Sequence, residues 1–205
     1  MIIGFTSQKG GVGKSTLAVH ALAWALREGI DACLIDTDPQ ASSSDWISDW
    51  DKSVKAPLIT EAKAIGAAIT DFNKKHELVF VDSRGALDIG SKATLLMADK
   101  ICVPCRPSRL DFAGAVETLR LAIEASKSRS KEADLALVPV MVREGENMTH
   151  IIQGDLEQLG IPVLPSISNR ASYAKAAEKT NFVWDHADAK ASAEIEILMQ
   201  EITER

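Results

Sequence analysis

The sequence predicts an α/β fold in which helices cover both faces of a mostly parallel central sheet. Three observations predict it. Short apolar runs alternate with segments of helical periodicity, a Gly-rich turn follows the first run, and aromatic residues make up only 5% of a chain that is 46% hydrophobic. Such runs are typical of strands buried on both faces. With 205 residues and no linker-like tract, we expect a single domain over residues 1–205.

Six apolar runs are the predicted strands. They cover residues 2–6, 32–35, 78–81, 101–103, 135–142 and 163–167. Each is short and rich in aliphatic residues, as buried strands are. Because helical segments separate successive runs, we expect the strands to be mostly parallel.

The intervening segments supply the predicted helices. The first follows the Gly-rich turn and ends before Gly29, which is a suitable C-terminal capping residue. The others are predicted at residues 39–50, 60–74, 110–126 and 187–203, with a short helix after Asn169 and Arg170. These helices should pack on the two faces of the sheet.

The composition bounds the compartment and the class of partner. The three cysteines lie in apolar runs, no apolar leader precedes the first strand, and no run approaches the about 18 apolar residues of a membrane span. We therefore expect a cytoplasmic protein without a membrane partner. A formal net charge of −6 restricts any DNA contact to a local basic patch. The two candidate patches are Lys127, Arg129 and Lys131, and Arg170, Lys175 and Lys179.

The Gly-rich turn has the composition of a phosphate-binding loop. Its glycines allow backbone N–H groups to close around phosphate oxygens, and the helix that begins near Lys14 presents its positive end to the same anion. Lys14 adds a positive charge, and Ser15 offers a hydroxyl to Mg²⁺. We therefore expect ATP and Mg²⁺ to bind here. The predicted contacts are Lys9, Gly10, Gly11, Val12, Gly13, Lys14, Ser15 and Thr16.

The loop departs from the ordinary phosphate-loop pattern at two positions. Gln8 stands where the first glycine would fall, and Lys9 adds a second lysine. The pattern Lys-Gly-Gly-x-Gly-Lys-Ser/Thr resembles the deviant Walker A motif of the ParA/MinD family of ATPases, and the small ParF-like partition proteins of this family resemble nearly the whole chain. The resemblance implies a P-loop NTPase fold, slow intrinsic ATP hydrolysis, and an ATP-dependent homodimer in which Lys9 reaches the partner's nucleotide.

Two carboxylates at predicted strand ends complete the site that the resemblance implies. Asp82 ends an apolar run and resembles the Walker B aspartate that accompanies Mg²⁺. Residues 36–40, Asp-Thr-Asp-Pro-Gln, resemble the switch I segment, in which Asp38 would position the attacking water. Asp36 would support either the Mg²⁺ shell or the loop. The expected catalytic residues are thus Lys9, Lys14 and Asp38, and the expected metal-associated residues are Ser15, Asp38 and Asp82.

Three further features are interpreted from the later part of the chain. Since the family binds the base near the ends of late strands, Arg143, Ser166 and Asn169 are expected to contact adenine. Cys102 and Cys105 have a Cys-x-x-Cys spacing, but no second pair follows, so a core role is favoured over a metal or redox site. Residues 104–112 resemble the dimer and assembly surface of small ParA-type proteins, and an ordinary strand-to-helix loop is the alternative.

The function implied by the resemblance is that of a partition ATPase. ATP-bound dimers would associate with nucleoid DNA without sequence preference, and a ParB-type or adaptor protein would stimulate hydrolysis, so that a plasmid, chromosome or other cargo is segregated. Because the chain begins at the first strand, we expect no operator-binding extension. A MinD-like membrane-associated regulator is the alternative, although residues 193–205 are acidic. A relative of the nitrogenase iron protein is a third possibility, but it would need cysteines that bridge a dimer, and Cys102 and Cys105 do not resemble that placement.

Overall fold

A five-stranded parallel sheet forms the centre of the protein. The computed structural model describes residues 1–85, 88–129, 131–143 and 159–204. The strands are β1 (Ile2–Phe5), β2 (Ala32–Asp36), β3 (Leu78–Asp82), β4 (Lys100–Cys105) and β5 (Asp134–Pro139). They lie in the order β2-β3-β1-β4-β5, and every pair is parallel. The predicted fold class is therefore confirmed.

Seven α-helices lie within the described ranges. They are α1 (Lys14–Arg27), α2 (Ser42–Trp50), α3 (Ala62–Lys75), α4 (Ile89–Met97), α5 (Arg109–Ser126), α6 (Ala171–Lys179) and α7 (Ala189–Thr203). Buried side chains of α1, α2, α6 and α7 form one apolar core, called the α1 core below. Those of α3, α4 and α5 form a second, called the α5 core. None of the helices in these ranges combines the length and the apolar character needed to cross a bilayer.

The sheet separates the two cores because neighbouring side chains of a strand point to opposite faces. In β3, Phe80 contributes to the α1 core, whereas Val79 and Val81 contribute to the α5 core. Both cores thus draw on the same strand, and the continuous apolar runs of the sequence follow from burial on both faces.

The predicted strand at residues 163–167 is wrong as a regular element. This segment lies beside β5 and makes isolated parallel bridges at Val163 and Ser168. Pro162 and Pro165 have no N–H group, so the segment cannot form a continuous ladder. The predicted strand at residues 135–142 is also too long. β5 ends at Pro139, and Met141 has a φ of 55°, in the left-handed region.

The strand register brings the predicted carboxylates to one edge of the sheet. Asp82, the last residue of β3, pairs with Phe5 at the end of β1 and with Asp36 at the end of β2. The carboxyl ends of the central strands therefore meet where the Gly-rich loop begins, which is the usual binding edge of a parallel sheet.

Candidate active site

The loop between β1 and α1 has the backbone conformation that its glycines allow. Gly11 and Gly13 have φ angles of 68° and 82°, in the left-handed region that other residues rarely adopt. Gly13 directly precedes α1, so the loop ends at the N-terminus of a helix of 14 residues. The free N–H groups and positive end of that helix favour an anion at this place.

Lys14 lies at the mouth of this loop and is largely buried, with 7% of its surface exposed. Its Nζ donates a hydrogen bond to the carbonyl oxygen of Lys9 at 3.2 Å. Burial lowers the pKa of Lys14, and the charges of Asp82 and two other aspartates oppose that shift. The loop therefore holds a desolvated cation, which a bound phosphate would stabilise.

Asp82 is a buried carboxylate at the carboxyl end of β3. It is 1% exposed, and neither carboxylate oxygen has a hydrogen-bond partner among the described residues. Burial raises the pKa of Asp82 to about 7. The nearby hydroxyls of Ser15 and Ser43 oppose this rise, although neither makes a hydrogen bond of regular geometry with the carboxylate. Such a carboxylate beside a serine hydroxyl fits Mg²⁺, which prefers oxygen ligands and retains water.

Asp36 organises the segment that follows β2. The fully buried carboxylate accepts hydrogen bonds from the N–H groups of Asp38 at 2.9 Å, Ser43 at 3.1 Å and Ser44 at 3.0 Å. Ala41, the residue before α2, provides no side-chain cap, so Asp36 serves the first turn of that helix instead. Of its two expected roles, these contacts favour support of the loop.

Asp38 is placed differently from Asp36. It is partly exposed, and Oδ1 accepts a hydrogen bond from the N–H of Gln40 at 3.0 Å. Its charge opposes the lowering of the pKa of Lys14, as expected for a carboxylate near the phosphate loop. No hydrogen bond within the described residues uses Oδ2 of Asp38. This oxygen is therefore placed for the predicted contact with water, and that role stays a prediction.

A mainly apolar pocket of about 220 Å³ lies next to the start of α1. Asn169 lines it together with Thr16, Met141 and Tyr173, whereas Arg143 and Ser166 are not among its lining residues. An apolar pocket beside a phosphate loop suits a flat base. The adenine contacts stay a prediction, with Asn169 as the best placed of the three residues. Sequence reasoning missed Tyr173, which lies in the first turn of α6.

The Cys-x-x-Cys spacing has a structural explanation. Cys102 lies in the α1 core and Cys105 in the α5 core, so the two side chains point to opposite faces of the sheet. Both are buried, and burial raises the pKa of each thiol to about 12. The described residues contain no cluster of His, Cys, Asp or Glu that could hold a metal ion. The favoured core role agrees with this arrangement.

The loop from β4 to α5 is fixed by a network around Asp111. Ser108 caps α5, accepting from the N–H of Asp111 at 3.1 Å and donating its hydroxyl to Asp111 Oδ2 at 2.7 Å. Arg106 donates two hydrogen bonds to the same carboxylate, at 3.1 and 3.2 Å. Leu110, in contrast, is 78% exposed. The first turn of α5, which this network fixes, thus carries an exposed apolar side chain.

Known proteins resemble this chain in sequence and in fold. A family model described as the CobQ/CobB/MinD/ParA nucleotide binding domain matches residues 3–183. Maintenance of carboxysome distribution protein A from Halothiobacillus neapolitanus is 29% identical over 174 residues, which are 82% of this chain and 79% of that protein.

Two solved structures extend the likeness over almost the whole chain. An ATP complex of McdA from Cyanothece has a TM-score of 0.80 at 16% identity and covers 100% of this chain and 97% of its own. MinD from Pyrococcus horikoshii OT3, solved with Mg-ADP, has a TM-score of 0.76 at 11% identity and covers 99% of this chain and 96% of its own. At these identities the likeness concerns the fold.

Proposed function

We propose that this chain, which belongs to the CobQ/CobB/MinD/ParA nucleotide-binding domain family, is a partition-type ATPase that positions a large cargo. It forms a homodimer with ATP, associates with DNA without sequence preference, and leaves DNA when a ParB-type or adaptor protein stimulates hydrolysis. One relative is named for maintaining the distribution of carboxysomes, which supports a large cargo. The observation that carries the proposal is the contrast between the two lysines of the phosphate loop.

The contrast concerns exposure. Lys14 is buried at the mouth of its own loop, whereas Lys9, five residues earlier, is exposed and lies against α5. Lys14, the amides of the loop and Mg²⁺ already supply positive charge to the phosphates of the loop's own nucleotide, so the exposed Lys9 is available to the nucleotide of a second copy. Two subunits that each carry a net charge of −6 repel each other. The attraction between Lys9 and the triphosphate bound to the partner offsets this repulsion, so that association becomes favourable when ATP is bound.

The chain is an ATPase of the ParA/MinD type, and its cofactors are ATP and Mg²⁺. Bound Mg²⁺ supplies positive charge to the phosphate oxygens, and Ser15 and Asp82 would hold it, Asp82 through water. Lys14 and the amides at the start of α1 bind and neutralise the phosphates. Asp38 orients the attacking water. Because assembly completes such a site, intrinsic turnover is expected to be slow.

The MinD-like alternative is less well supported by the last helix. Ile195, Leu198 and Met199 of α7 are fully buried against the sheet. The apolar side of this helix already packs in the core, so α7 could enter a lipid surface only by leaving it. These contacts favour DNA over a membrane as the surface to which the dimer binds, and hence a cytoplasmic, nucleoid-associated protein.

Co-sedimentation with DNA tests the proposal. The protein should pellet with DNA in ATP but not in ADP or without nucleotide, and the bound fraction should fall steeply as salt rises. Equal pelleting in ADP, or ATP-dependent binding to anionic vesicles that exceeds binding to DNA, would contradict the proposal.

Two variants test the assignment of the site. Lys14→Ala should abolish ATP binding, because the buried cation of the loop is lost. Asp38→Ala should retain ATP binding and dimerisation while turnover stops. Unimpaired hydrolysis by the Asp38→Ala variant would refute the role given to Asp38.

A further inference from the structure

Helix α5 contains a glycine, Gly114, at a position where the backbone conformation does not require one. Gly114 lies inside a helix of 18 residues and does not have a positive φ. A glycine in such a place destabilises a helix by about 0.5–1 kcal/mol relative to alanine. A methyl group at Gly114 would lie 3.2 Å from both Cγ and Cε of Lys9, which is tighter than most Cβ contacts, so the lysine side chain would have to shift. The glycine therefore makes room for the side chain of Lys9.

Gly114 shares one face of α5 with two other residues that act on the phosphate loop. Asp111, Gly114 and Thr118 are spaced at i, i+3 and i+7, so they lie along the same side of the helix. The hydroxyl of Thr118 accepts a hydrogen bond from the N–H of Gln8 at 3.2 Å. The charges of Asp111 and Lys9 interact. We call this face, formed by Asp111, Gly114 and Thr118, the Lys9 track.

The backbone of Lys9 is held from the opposite side as well. A methyl group at Gly85, just after β3, would lie 2.8 Å from the carbonyl oxygen of Lys9 and 2.9 Å from Cα of Gly10. That same carbonyl oxygen accepts the hydrogen bond from Lys14. With its peptide enclosed in this way, Lys9 extends its side chain along α5, from the level of Thr118 toward Asp111.

We propose that the Lys9 track positions Lys9 for the nucleotide of a second copy. The track keeps the side chain extended toward the start of α5, where Leu110 is exposed, and away from the site that Lys14 already occupies. Gly114 is thus a positioning residue that acts through Lys9. The inference rests on the proposed function, in which Lys9 acts across a dimer.

Gly114→Ala tests the track with a single added methyl group. Lys9 must shift, so ATP-dependent dimerisation and ATP turnover should each fall about 3- to 10-fold. Affinity for ATP in the monomer should not change, because Lys14 and the loop glycines are untouched. The melting temperature should stay level or rise, since alanine is the better helix former. A merely structural role would not combine a stable fold with lost dimerisation.

Gly66→Ala is the matched control. Gly66 also lies inside a helix, α3, and a methyl group there would meet only Sδ of Met97 at an ordinary 3.6 Å. This variant should gain helix stability in the same way and keep wild-type dimerisation and turnover. A loss of activity as large as that of Gly114→Ala would overturn the inference.

A Lys9→Ala background separates the two proposals. If Lys9→Ala leaves weakened but measurable dimerisation and Gly114→Ala in that background weakens it no further, the two residues act as one unit. If Lys9→Ala abolishes dimerisation but Gly114→Ala alone leaves it unchanged, the track is refuted while the proposed function stands. If Lys9→Ala dimerises and hydrolyses ATP normally, both fail.

A contact measurement on the unaltered protein covers the case in which Gly114→Ala does not fold. Nuclear Overhauser effects should connect the α protons of Gly114 with the side-chain methylenes of Lys9 in the nucleotide-free protein. Their absence would overturn the track without any variant.

Discussion

Two aspartates in the loop after β2 differ in what they contribute to the protein. Asp36 is fully buried and accepts three backbone hydrogen bonds, whereas Asp38 is partly exposed and accepts one. Asp36→Ala should lower the free energy of unfolding by about 2–4 kcal/mol, because buried N–H groups lose their acceptor. Asp38→Ala should change it by less than about 0.5 kcal/mol.

Urea unfolding of both variants without nucleotide measures this difference. The pair is its own control, since the same substitution is made two residues apart. Equal losses of stability would show that the hydrogen bonds of Asp36 do not stabilise the loop. The assignment of Asp36 as a support of the loop would then be wrong.

The same residues show how far the sequence determines the site. The glycines, Lys14 and Asp82 were predictable because their chemistry depends on local spacing and on strand ends. The choice between the two expected roles of Asp36 was not predictable, because its partners Ser43 and Ser44 reach it through a turn at Ala41 that no motif describes. The pocket residue Tyr173 was missed because the pocket joins α1, the end of β5 and α6, which are far apart in the chain.

At the scale of elements, His20 joins α1 to the turn at residues 182–185. Its Nδ1 donates to the carbonyl oxygen of Thr16 at 2.7 Å, and its Nε2 accepts from the N–H of Val183 at 3.2 Å. These partners require the neutral ring, with the proton on Nδ1. Burial lowers its pKa from 6.5 to about 4, although the contact with Thr16 and the charge of Asp185 oppose that shift.

The burial of His20 predicts that stability depends on pH. Between pH 6.5 and 4 the unfolded chain binds a proton that the folded protein excludes, so stability falls as the pH is lowered through this window. The share of His20 should be about 2 kcal/mol at pH 5. Because the raised pKa of Asp82 acts in the opposite direction over this window in both proteins, the effect of His20 is read as a difference. In denaturant unfolding at pH 7 and pH 5, the change of stability should be less favourable in the wild-type protein than in His20→Gln by about 2 kcal/mol. Identical changes in the two proteins would contradict the prediction.

Elements were predictable where the backbone pattern was uninterrupted. The five strands and the long helices follow apolar runs and helical periodicity, and their ends differ from the predicted ones by a few residues. The failure at residues 163–167 has a physical reason, since an apolar run indicates burial but says nothing of hydrogen bonds. Pro162 and Pro165 remove two donors, so this segment makes one isolated bridge to β5, between Val163 and Leu137, and Val163 remains exposed.

At the scale of the whole molecule, an acidic protein needs a local basic surface to bind DNA. The basic residues of the first candidate patch already make contacts within the chain. Lys127 pairs with Glu124 at 2.6 Å, Arg129 donates to the carbonyl oxygen of Ala98 at 2.7 Å, and Lys131 lies 3.9 Å from Asp99. In the second patch Arg170 is held by Glu194 at 3.1 Å.

Two lysines of the second patch remain available. Lys175 and Lys179 are exposed on α6, one helical turn apart, and neither forms an ion pair within the described residues. Their ammonium groups can therefore replace phosphate counterions without first breaking a contact. We expect α6 to form the centre of the DNA-binding surface.

Reversing these two charges tests that surface. Lys175→Glu with Lys179→Glu should reduce ATP-dependent DNA co-sedimentation at least about 10-fold and flatten its dependence on salt, because two phosphate contacts become repulsive. Lys127→Glu with Lys131→Glu makes the same change in net charge and should alter binding by less than about twofold, because the acidic neighbours Glu124 and Asp99 already offset the positive charge of that patch. Nucleotide affinity, measured on both variants, should stay at the wild-type value. If both pairs weaken DNA binding equally, net charge governs the interaction, and α6 is not the surface that contacts DNA.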